Sequence, residues 1–405
     1  MMHLFPLLKM LWRSKIGPAL IILQLALSIA IISNALFFVN NRIEQTSRPT
    51  GIDQAQLARV WVKDGAESSE LQQMVSRDIA ALKTLTGIES AAPMGSVPFS
   101  HSGYSSGFHN LHASAGDAGR LRTPAGVVET DHRAVDTLGL KLIAGRNFLP
   151  EEVVYFTREN TPASAHAIIS QSVAEQVFPG ASAVGNTIYL AGEIPLMVVG
   201  VVEDFLGYFP SLDFAQRNVL ISAIEKKISI NYVLRTEASK VDSLLYDAEK
   251  MLRGLDGERI VGEAATISQL IKNHYHADYA MIILLLVVMS LLVLTNMLGI
   301  VGITTFWVNQ RRRQIGIRRA LGATRAAIIR LFLLENTLLV AAATLLGAFI
   351  AFWASHLLVQ RYAFELLPWH YVPLAGLAVL VIALAAATLP ARRAALISPR
   401  EAVCS

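Results

Sequence analysis

The sequence has little cysteine and little charge. Cys404 is the only cysteine among 405 residues, so no disulfide can form within them. Charged residues make up 16% of the sequence and hydrophobic residues 53%. This balance is too apolar for an ordinary soluble protein and is typical of a chain with membrane spans. The formal net charge of +4 is small and gives no indication of nucleic-acid binding.

Motifs that carry chemistry are also missing. The sequence contains no G-x-x-x-x-G-K-[ST] loop, which excludes ATP hydrolysis by the P-loop route within this chain. No serine lies in a recognisable nucleophile motif with His and Asp partners. Some histidines lie in polar segments where the sequence shows no further side chains that would bind a metal together with them. We interpret these histidines as solvated: His101, His109, His112, His274 and His276. The sequence therefore predicts no catalytic residue, no metal site and no cofactor in this chain.

Long apolar runs, by contrast, are abundant. A membrane-spanning helix needs about 20 mostly apolar residues. Runs of this kind predict transmembrane helices at residues 17–39, 279–308, 331–358 and 371–389. The first run continues through residues 36–39, past the small-residue site Ser33-Asn34-Ala35, so we interpret it as an uncleaved anchor rather than a signal peptide.

The basic residues predict the orientation of these spans. They lie in three flanks: Lys9, Arg13 and Lys15; the arginines of residues 311–330; and Arg392, Arg393 and Arg400. With four spans all three flanks fall on one face, which the positive-inside rule makes cytoplasmic. Segments 1–16, 309–330 and 390–405 are then cytoplasmic, whereas 40–278 and the short turn 359–370 are external. We expect a multi-pass membrane protein with both termini in the cytoplasm. The external segment has no cysteine, which is compatible with a bacterial inner membrane and a periplasm outside it.

The external segment 40–278 mixes helical and strand patterns. Apolar residues recur at helical spacing from Leu71 to Leu82 and from Val241 to Leu252. Short runs rich in branched residues predict strands at 59–62, 168–169, 187–190, 196–202, 219–221 and 232–234. Residues 191–195 are interpreted as a hairpin turn, and 93–126 as a long loop or mobile lobe. The predicted fold is an α-helical membrane protein with four transmembrane helices and a large α+β periplasmic domain inserted between helices 1 and 2.

The second span is predicted to begin well before the membrane. Thr266-Ile-Ser-Gln269 has the form of a capping box, and the helical pattern continues without a break through residue 307. Such a helix is about 60 Å long at about 1.5 Å per residue, roughly twice the hydrocarbon thickness. The surplus predicts a stalk, which the first span matches through Asn40, Asn41 and Ile43.

The loop between the second and third spans is unusually basic. Residues 311–330, RRRQIGIRRALGATRAAIIR, carry seven arginines and no acid, so they cannot sit in hydrocarbon. Apolar residues interleave with the charges, Gly322 is placed to end a short helix, and Thr324 to cap the next. Two interpretations remain open from the residues alone. The loop either only fixes topology and touches anionic lipid, or it presents a surface to a partner.

Polar and small residues within the spans raise further alternatives. Glu335 lies near enough to the interface for Arg325, Arg330 or water to satisfy it, and we interpret it as an interfacial ion-pair partner, with a coupling role as the alternative. Small residues repeat every four positions and predict close helix packing, either within the chain or in a dimer: Ala343, Gly347, Ala351 and Ser355. Three intramembrane amides are predicted to bond other helices: Gln24, Asn34 and Asn296.

Four segments, in order along the chain, resemble motifs of one family. Residues 310–323 (QRRRQIGIRRALGA), followed by FLLE at 332–335, resemble the signature loop of the MacB/FtsX-like permeases of ABC transporters. Residues 138–148 (LGLKLIAGRNF) and 198–205 (VVGVVEDF) resemble two motifs of the family's periplasmic core domain. Residues 390–402 (PARRAALISPREA) are similar to its closing motif. The chain departs from the pattern at Gln310 and Gln314, where the family usually has glutamates.

The resemblance implies a function and a set of partners. In the family this loop is a coupling helix that docks on a cytoplasmic ATPase, and the match carries that role to Ile315, Gly316, Arg319, Ala320, Leu321, Gly322 and Ala323. ATP and Mg would be bound by the ATPase. A second permease copy or a sister permease is implied, with a periplasmic adaptor or outer-membrane protein as a further partner.

The implied activity is coupling of ATP hydrolysis to movement of the periplasmic domain, for export of peptides, antibiotics or lipid-linked substrates. One alternative is ATP-driven signalling or activation of a periplasmic enzyme without transport. A third alternative is an anchored periplasmic enzyme or receptor that has no ATPase partner. This alternative does not explain the basic loop 311–330.

Overall fold

The computed structural model describes most of the chain. The described residues are 16–63, 71–100, 103–116, 118–157, 162, 164–225, 229–256, 259–262, 264–362 and 365–396. Several features predicted above lie outside them: Lys9, Arg13, Lys15, His101, Arg400, Cys404 and the end of the closing motif from residue 397. The chain divides into a helical unit, residues 1–44 and 278–405, and a core domain, residues 45–277.

The secondary structure alternates in the core domain and is purely helical elsewhere in the described residues. The helices are α1 (Ile16–Thr46), α2 (Leu71–Leu82), α3 (Ala134–Leu138), α4 (Gln171–Val177), α5 (Val241–Gly254), α6 (Ile267–Gln310), α7 (Arg312–Ala320), α8 (Arg325–Tyr362) and α9 (Tyr371–Ala395). The first strands are β1 (Leu57–Lys63), β2 (Ile88–Met94), β3 (Tyr104–His109), β4 (Arg122–Glu129), β5 (Leu142–Gly145), β6 (Val154–Phe156) and β7 (Ala165–Ser170). The remaining strands are β8 (Thr187–Leu190), β9 (Ile194–Val202), β10 (Asn218–Ile221), β11 (Ala223–Glu225), β12 (Ser229–Thr236), β13 (Ile260–Val261) and β14 (Ala265–Thr266).

Among the described residues, four helices are long and apolar enough to cross a membrane, namely α1, α6, α8 and α9. The predicted unbroken helix after Thr266 is confirmed, because α6 has 44 residues. Its capping box is also confirmed, since the backbone N–H groups of Thr266 and Gln269 each donate to the other's side-chain oxygen at 3.1 Å. α1 likewise continues past Ile43, to Thr46.

Within the helical unit, polar side chains join neighbouring helices. The side-chain oxygen of Asn296 in α6 accepts bonds from Gln24 at 3.3 Å and Ser28 at 3.1 Å, both in α1. Asn34 in α1 donates to the backbone oxygen of Ala351 in α8 at 3.4 Å. The prediction that the intramembrane amides bond other helices is therefore confirmed. Such bonds satisfy groups that hydrocarbon would leave without partners.

The core domain contains two main sheets. The smaller has the order β13-β1-β12-β2, with β14 also paired to β1. The larger has the order β5-β9-β7-β10-β4-β3-β8, and an additional β8–β9 pairing closes six of its strands into a ring. Most pairings are antiparallel, whereas β4–β10, β7–β9 and β6–β11 are parallel. The predicted α+β architecture is confirmed.

The smaller sheet is covered by α2 and α5 around a buried polar centre. Apolar residues of both helices share one core with β1 and β12, as their helical spacing predicted. Inside it, Asp78 accepts from Arg259 at 3.0 Å and from the Tyr232 hydroxyl at 2.7 Å. All three side chains are buried, and the two bonds to the Asp78 carboxylate offset part of the cost of burying these polar groups.

The interpretation of residues 93–126 as a long loop or mobile lobe is wrong. This segment contains the end of β2, all of β3 and the first half of β4, and β3 pairs with both β4 and β8. The sequence YSSGFH of β3 lacks a clear apolar alternation because only its last residues are buried. Pairing with neighbours of stronger strand pattern determines its structure.

The two core-domain motifs at 138–148 and 198–205 pack side by side. They supply β5 and much of β9, which pair antiparallel. The Lys141 ammonium lies 2.6 Å from the Glu203 carboxylate. Gly145 has a positive φ of 76°, and a Cβ there would overlap the backbone oxygen of Val199. Asp204 accepts bonds from the backbone and hydroxyl of Ser172 at the start of α4. These contacts explain why glycine and acidic residues occupy the motif positions.

An acid-sensitive ion pair follows this motif. The two terminal nitrogens of Arg146 donate to the Glu152 carboxylate at 2.8 and 2.5 Å, and Arg146 lowers the pKa of Glu152 to about 2. Because the folded-state pKa is below the ordinary value of 4.5, the stabilisation is present above pH 4.5 and is lost as the pH falls toward 2.

We expect Glu152→Gln to flatten the pH dependence of core-domain stability in that window. The thermal unfolding midpoint of the purified chain, measured from pH 5 to 2.5, would test this. The control is Glu151→Gln, which alters the exposed neighbouring carboxylate. An unchanged slope in Glu152→Gln would contradict the prediction.

Candidate docking surface

A short helix, α7, separates the two long apolar helices α6 and α8. The helical path breaks at Arg311, whose φ of −104° and ψ of 12° are not helical, and α7 begins at the next residue. The backbone still bonds across the break, because the Arg311 N–H donates to the Trp307 oxygen at 3.0 Å. The arginine-rich segment is therefore a defined helix joined directly to α6.

Glycine and threonine set the turn between α7 and α8, as predicted. Gly322 has a φ of 95°, and its N–H donates to the Arg319 oxygen at 3.1 Å. The Ala323 N–H donates to the Arg318 oxygen at 3.0 Å, which completes a Schellman motif. The Thr324 hydroxyl then accepts from the Ala327 N–H at 3.2 Å and caps α8.

Burial divides the seven residues predicted to dock on an ATPase. Ile315 and Gly316 are buried inside the helical unit, and Ile315 belongs to the same apolar core as Ile328 and Phe332. A partner that covers this surface would not touch these two side chains in this conformation, and their assignment as docking residues stays a prediction. Arg319 and Ala323 are half-buried.

The residues of the predicted set that are accessible are Ala320, Leu321 and Gly322. The Leu321 side chain is 83% exposed, and Ile317 is 46% exposed although the sequence analysis did not select it. Ile317 and Leu321 are four residues apart and so lie on one face of the helix end. This four-residue spacing from Leu321 is the sequence pattern from which the exposure of Ile317 could have been predicted. We call Ile317, Ala320, Leu321 and Gly322 the exposed apolar patch.

The acid in the third apolar helix pairs with an arginine that was not predicted. The Arg311 guanidinium donates to the Glu335 carboxylate at 2.6 Å, and the predicted partners Arg325 and Arg330 are exposed. Arg330 is five residues before Glu335, which places it about 140° away around the helix. Arg311 instead reaches Glu335 across the α7–α8 turn.

The small residues of α8 pack against α1 of the same chain. A Cβ added at Gly347 would lie 2.9 Å from the backbone oxygen of Ala26 and 3.2 Å from the Cβ of Ile29. Ala343 and Ala351 are fully buried, and the Ser355 hydroxyl accepts from the Leu367 N–H at 2.9 Å. All four residues of the ridge are thus occupied by intrachain contacts.

The histidines do not all match the interpretation as solvated side chains. His109 is buried, and desolvation, with Arg120 and Arg122 nearby, lowers its pKa. His274 lies between Phe99 and Ser211, whereas His112 and His276 are exposed. Within the described ranges no three His, Cys, Asp or Glu side chains are grouped in a way that could hold a metal.

Two protein-family models match the chain. The MacB-like periplasmic core domain matches residues 19–248, and the FtsX-like permease C-terminal model matches residues 280–399. Together they cover most of the core domain, the loop between α6 and α8, and all or most of each apolar helix.

Several curated proteins are similar along much of the chain. An uncharacterized ABC transporter permease YknZ of Bacillus subtilis is 25% identical over 270 residues, which are 65% of this chain and 66% of that protein. The macrolide export ATP-binding/permease protein MacB of Vibrio parahaemolyticus is 25% identical over 338 residues, which are 80% of this chain and 48% of that protein. The chain thus spans less than two thirds of the length of these relatives.

Solved structures match the core domain at lower identity. The periplasmic region of MacB from Actinobacillus actinomycetemcomitans is 18% identical, with a TM-score of 0.35, and the match covers 57% of this chain and 98% of that one. The core domain is inserted between the first and second apolar helices, and the arginine-rich loop precedes the third. The chain belongs to the MacB/FtsX-like family of ABC transporter permeases.

Proposed function

We propose that this chain is the membrane subunit of an ABC transporter whose ATPase is a separate cytoplasmic protein. ATP hydrolysis by that partner, which would bind the ATP and Mg, drives movement of the core domain. The observation that carries the proposal is the exposed apolar patch on α7. The Leu321 side chain is 83% exposed in a loop between two apolar helices. Exposed apolar surface in such a place marks a site that a partner protein covers.

The composition of α7 favours a protein partner over lipid for the patch. Seven arginines keep residues 311–330 out of hydrocarbon, so Leu321 is presented to water unless a protein covers it. Burying one leucine side chain contributes about 1.5–3 kcal/mol, enough to anchor a helix end in a pocket. Gln310 and Gln314 stand where the family usually has glutamates, so the loop is more basic than is usual in the family. A more basic loop suits an acidic rim around that pocket.

Helix α6 supplies a route for transmission. Its first residues belong to the core domain, where Ile267 and Tyr275 are buried beside Phe99. Its last residue, Gln310, directly precedes the turn into α7. No proline interrupts it. A displacement of α7 therefore acts on one continuous helix that also forms part of the core domain.

The full assembly has further parts in this proposal. The chain lies in a bacterial inner membrane with its termini and α7 in the cytoplasm and its core domain in the periplasm. A second permease copy or a sister permease completes the membrane part, and a periplasmic adaptor or outer-membrane protein is a further partner. The substrates are peptides, antibiotics or lipid-linked molecules.

Co-purification tests the proposal. The chain is solubilised from its native membrane in mild detergent and captured, and the recovered proteins are identified. We expect an ATPase with Walker motifs, and we expect Leu321→Arg to reduce its recovery by about tenfold or more, the factor that corresponds to about 1.4 kcal/mol. A charged, longer side chain cannot enter the pocket that accepts leucine.

Ala326→Arg is the matched control. It adds the same charge at an exposed position of the same loop, outside the exposed apolar patch, and should retain the ATPase. Equal recovery with Leu321→Arg and the wild type would refute docking through the patch. Absence of any ATPase, where a control transporter stays intact, would refute the permease function. Recovery of both an ATPase and a periplasmic hydrolase would instead favour signalling without transport.

A further inference from the structure

A buried ion pair closes the hairpin formed by α7 and α8. The turn between the helices lies at residues 321–324, and Arg311 stands at the opposite end of α7. There its guanidinium donates to Glu335, the fourth residue of the FLLE segment, at 2.6 Å. The hairpin is thus fixed at both ends, by the Schellman turn at one end and by this bond at the other.

The ion pair is shielded from solvent. The Glu335 side chain is completely buried and that of Arg311 is 12% exposed. The guanidinium also lies 5.6 Å from the centre of the Trp307 ring, a cation–π distance, so α6, α7 and α8 meet at this arginine. A charge-assisted bond in such a site is directional and is not weakened by salt in the way that a surface pair is.

Ile315 shares the apolar core with Ile328 and Phe332, so packing contributes to holding α7 against α8. Beside this packing a cleft with room for about one water molecule opens to solvent. Its walls come from the inward face of α7 and the first turns of α8: Arg311, Gln314, Ile315, Arg318, Ile328, Leu331 and Phe332. Apolar packing is not directional, so the Arg311–Glu335 bond adds a constraint on the orientation of α7 that packing does not supply.

We propose that Arg311 and Glu335 are positioning residues that hold α7 in one register on α8, so that a load on the exposed apolar patch moves α6 and α8 together. The inference rests on the proposed function. It goes beyond docking, because it assigns the transmission step to two residues that a partner need not touch. Without the bond, α7 would change its orientation about the Gly322 turn when pushed.

The experiment separates local positioning from general stability. A Cys404→Ser chain has no other cysteine, so single cysteines can be introduced for spin labels. One label is placed at Arg313, exposed on α7, and one at Leu389, exposed on α9. The full chain is studied in lipid nanodiscs, with and without its ATPase, in the wild type, in Arg311→Gln, in Glu335→Gln and in the double variant Arg311→Met/Glu335→Leu.

The label on α7 should report release of the helix. We expect each single variant to shift the ratio of mobile to immobile label at residue 313 by at least about tenfold, which corresponds to about 1.4 kcal/mol. The label at 389 should not change. The ATPase should still bind, because the exposed apolar patch is intact, but its stimulation by the permease should fall by a comparable factor.

The double variant decides between positioning and stability. Replacing a buried ion pair by apolar residues of similar volume removes the unpaired charge and commonly restores stability. For positioning residues, the double variant recovers the thermal midpoint, while the α7 label stays mobile and stimulation stays low. Recovery of stimulation together with stability would overturn the inference.

Arg325→Gln is the control for charge in the loop, and it should match the wild type in both readouts. A label at 313 that stays immobile in every variant would also overturn the inference. Failure of the wild type to bind any ATPase would count against the proposed function, and the label readout would still test whether the bond fixes α7.

Discussion

Asp78→Ala should destabilise the core domain by about 3–5 kcal/mol, the usual cost of removing one partner of a buried ion pair. The Asp78 carboxylate is fully buried and accepts from Arg259 at 3.0 Å and Tyr232 at 2.7 Å. Its removal takes away the carboxylate to which both the buried Arg259 guanidinium and the buried Tyr232 hydroxyl donate, inside the core that α2 and α5 form on the smaller sheet. Breaking a buried ion-pair and hydrogen-bond network is one of the few single-residue effects of this size.

Hydrogen exchange of the full chain in detergent is the direct measurement. Amides of β1 and β12 should exchange at least about a hundredfold faster in the variant, since about 3 kcal/mol changes an opening equilibrium by that factor. Asp247→Ala, which removes an exposed acid from α5, is the matched control. Replacing both charges, as Asp78→Leu with Arg259→Met, should recover much of the protection. Similar exchange in the two alanine variants would refute the prediction.

Gly347→Leu should disrupt the helical unit. Because the Cβ position is 2.9 Å from a backbone oxygen of α1, even the first carbon forces α1 and α8 apart, and three more carbons follow. Overpacking in a well-packed interior costs about 1–3 kcal/mol and often more when backbone must move. We expect a lower thermal midpoint and loss of the single peak in size-exclusion chromatography.

Gly302 offers a control on an exposed face of another apolar helix. It lies in α6, and a Cβ there meets nothing within 4 Å. Gly302→Leu should therefore behave like the wild type in the same detergent. If both leucine variants behave alike, the contact between α1 and α8 is not what stabilises the unit.

The long elements could be predicted from the sequence because their patterns are strong. The four apolar helices, α2, α5 and β8 all follow from periodicity or run length, which depend on neighbours along the chain. In contrast, β3 was missed, and β5 was not predicted as a strand. Only the pairing of β3 with β4 and of β5 with β9, distant in sequence, makes those segments strands.

The docking surface was only partly predictable for a related reason. Ile315 and Leu321 are both apolar and interleave with arginines, so composition does not say which of them faces inward. Folding of α7 back onto α8 buries Ile315 and exposes Leu321. The partner of Glu335 was mispredicted for the same cause, since proximity along α8 favoured Arg330, whereas the hairpin brings Arg311 to the carboxylate.

The position of α6 in the chain also orders events during synthesis. Strand β14, which pairs with β1, comes directly before α6, and Ile267 and Tyr275 complete the core around Phe99. A ribosome must therefore have made some 230 residues after α1 before the core domain has all its parts. Those last parts include the first turns of α6 and emerge just ahead of its apolar, membrane-spanning part. Closing of the core domain and insertion of that helix thus fall into the same interval, and a mutation that slows either one exposes an unfinished sheet edge to proteases and chaperones.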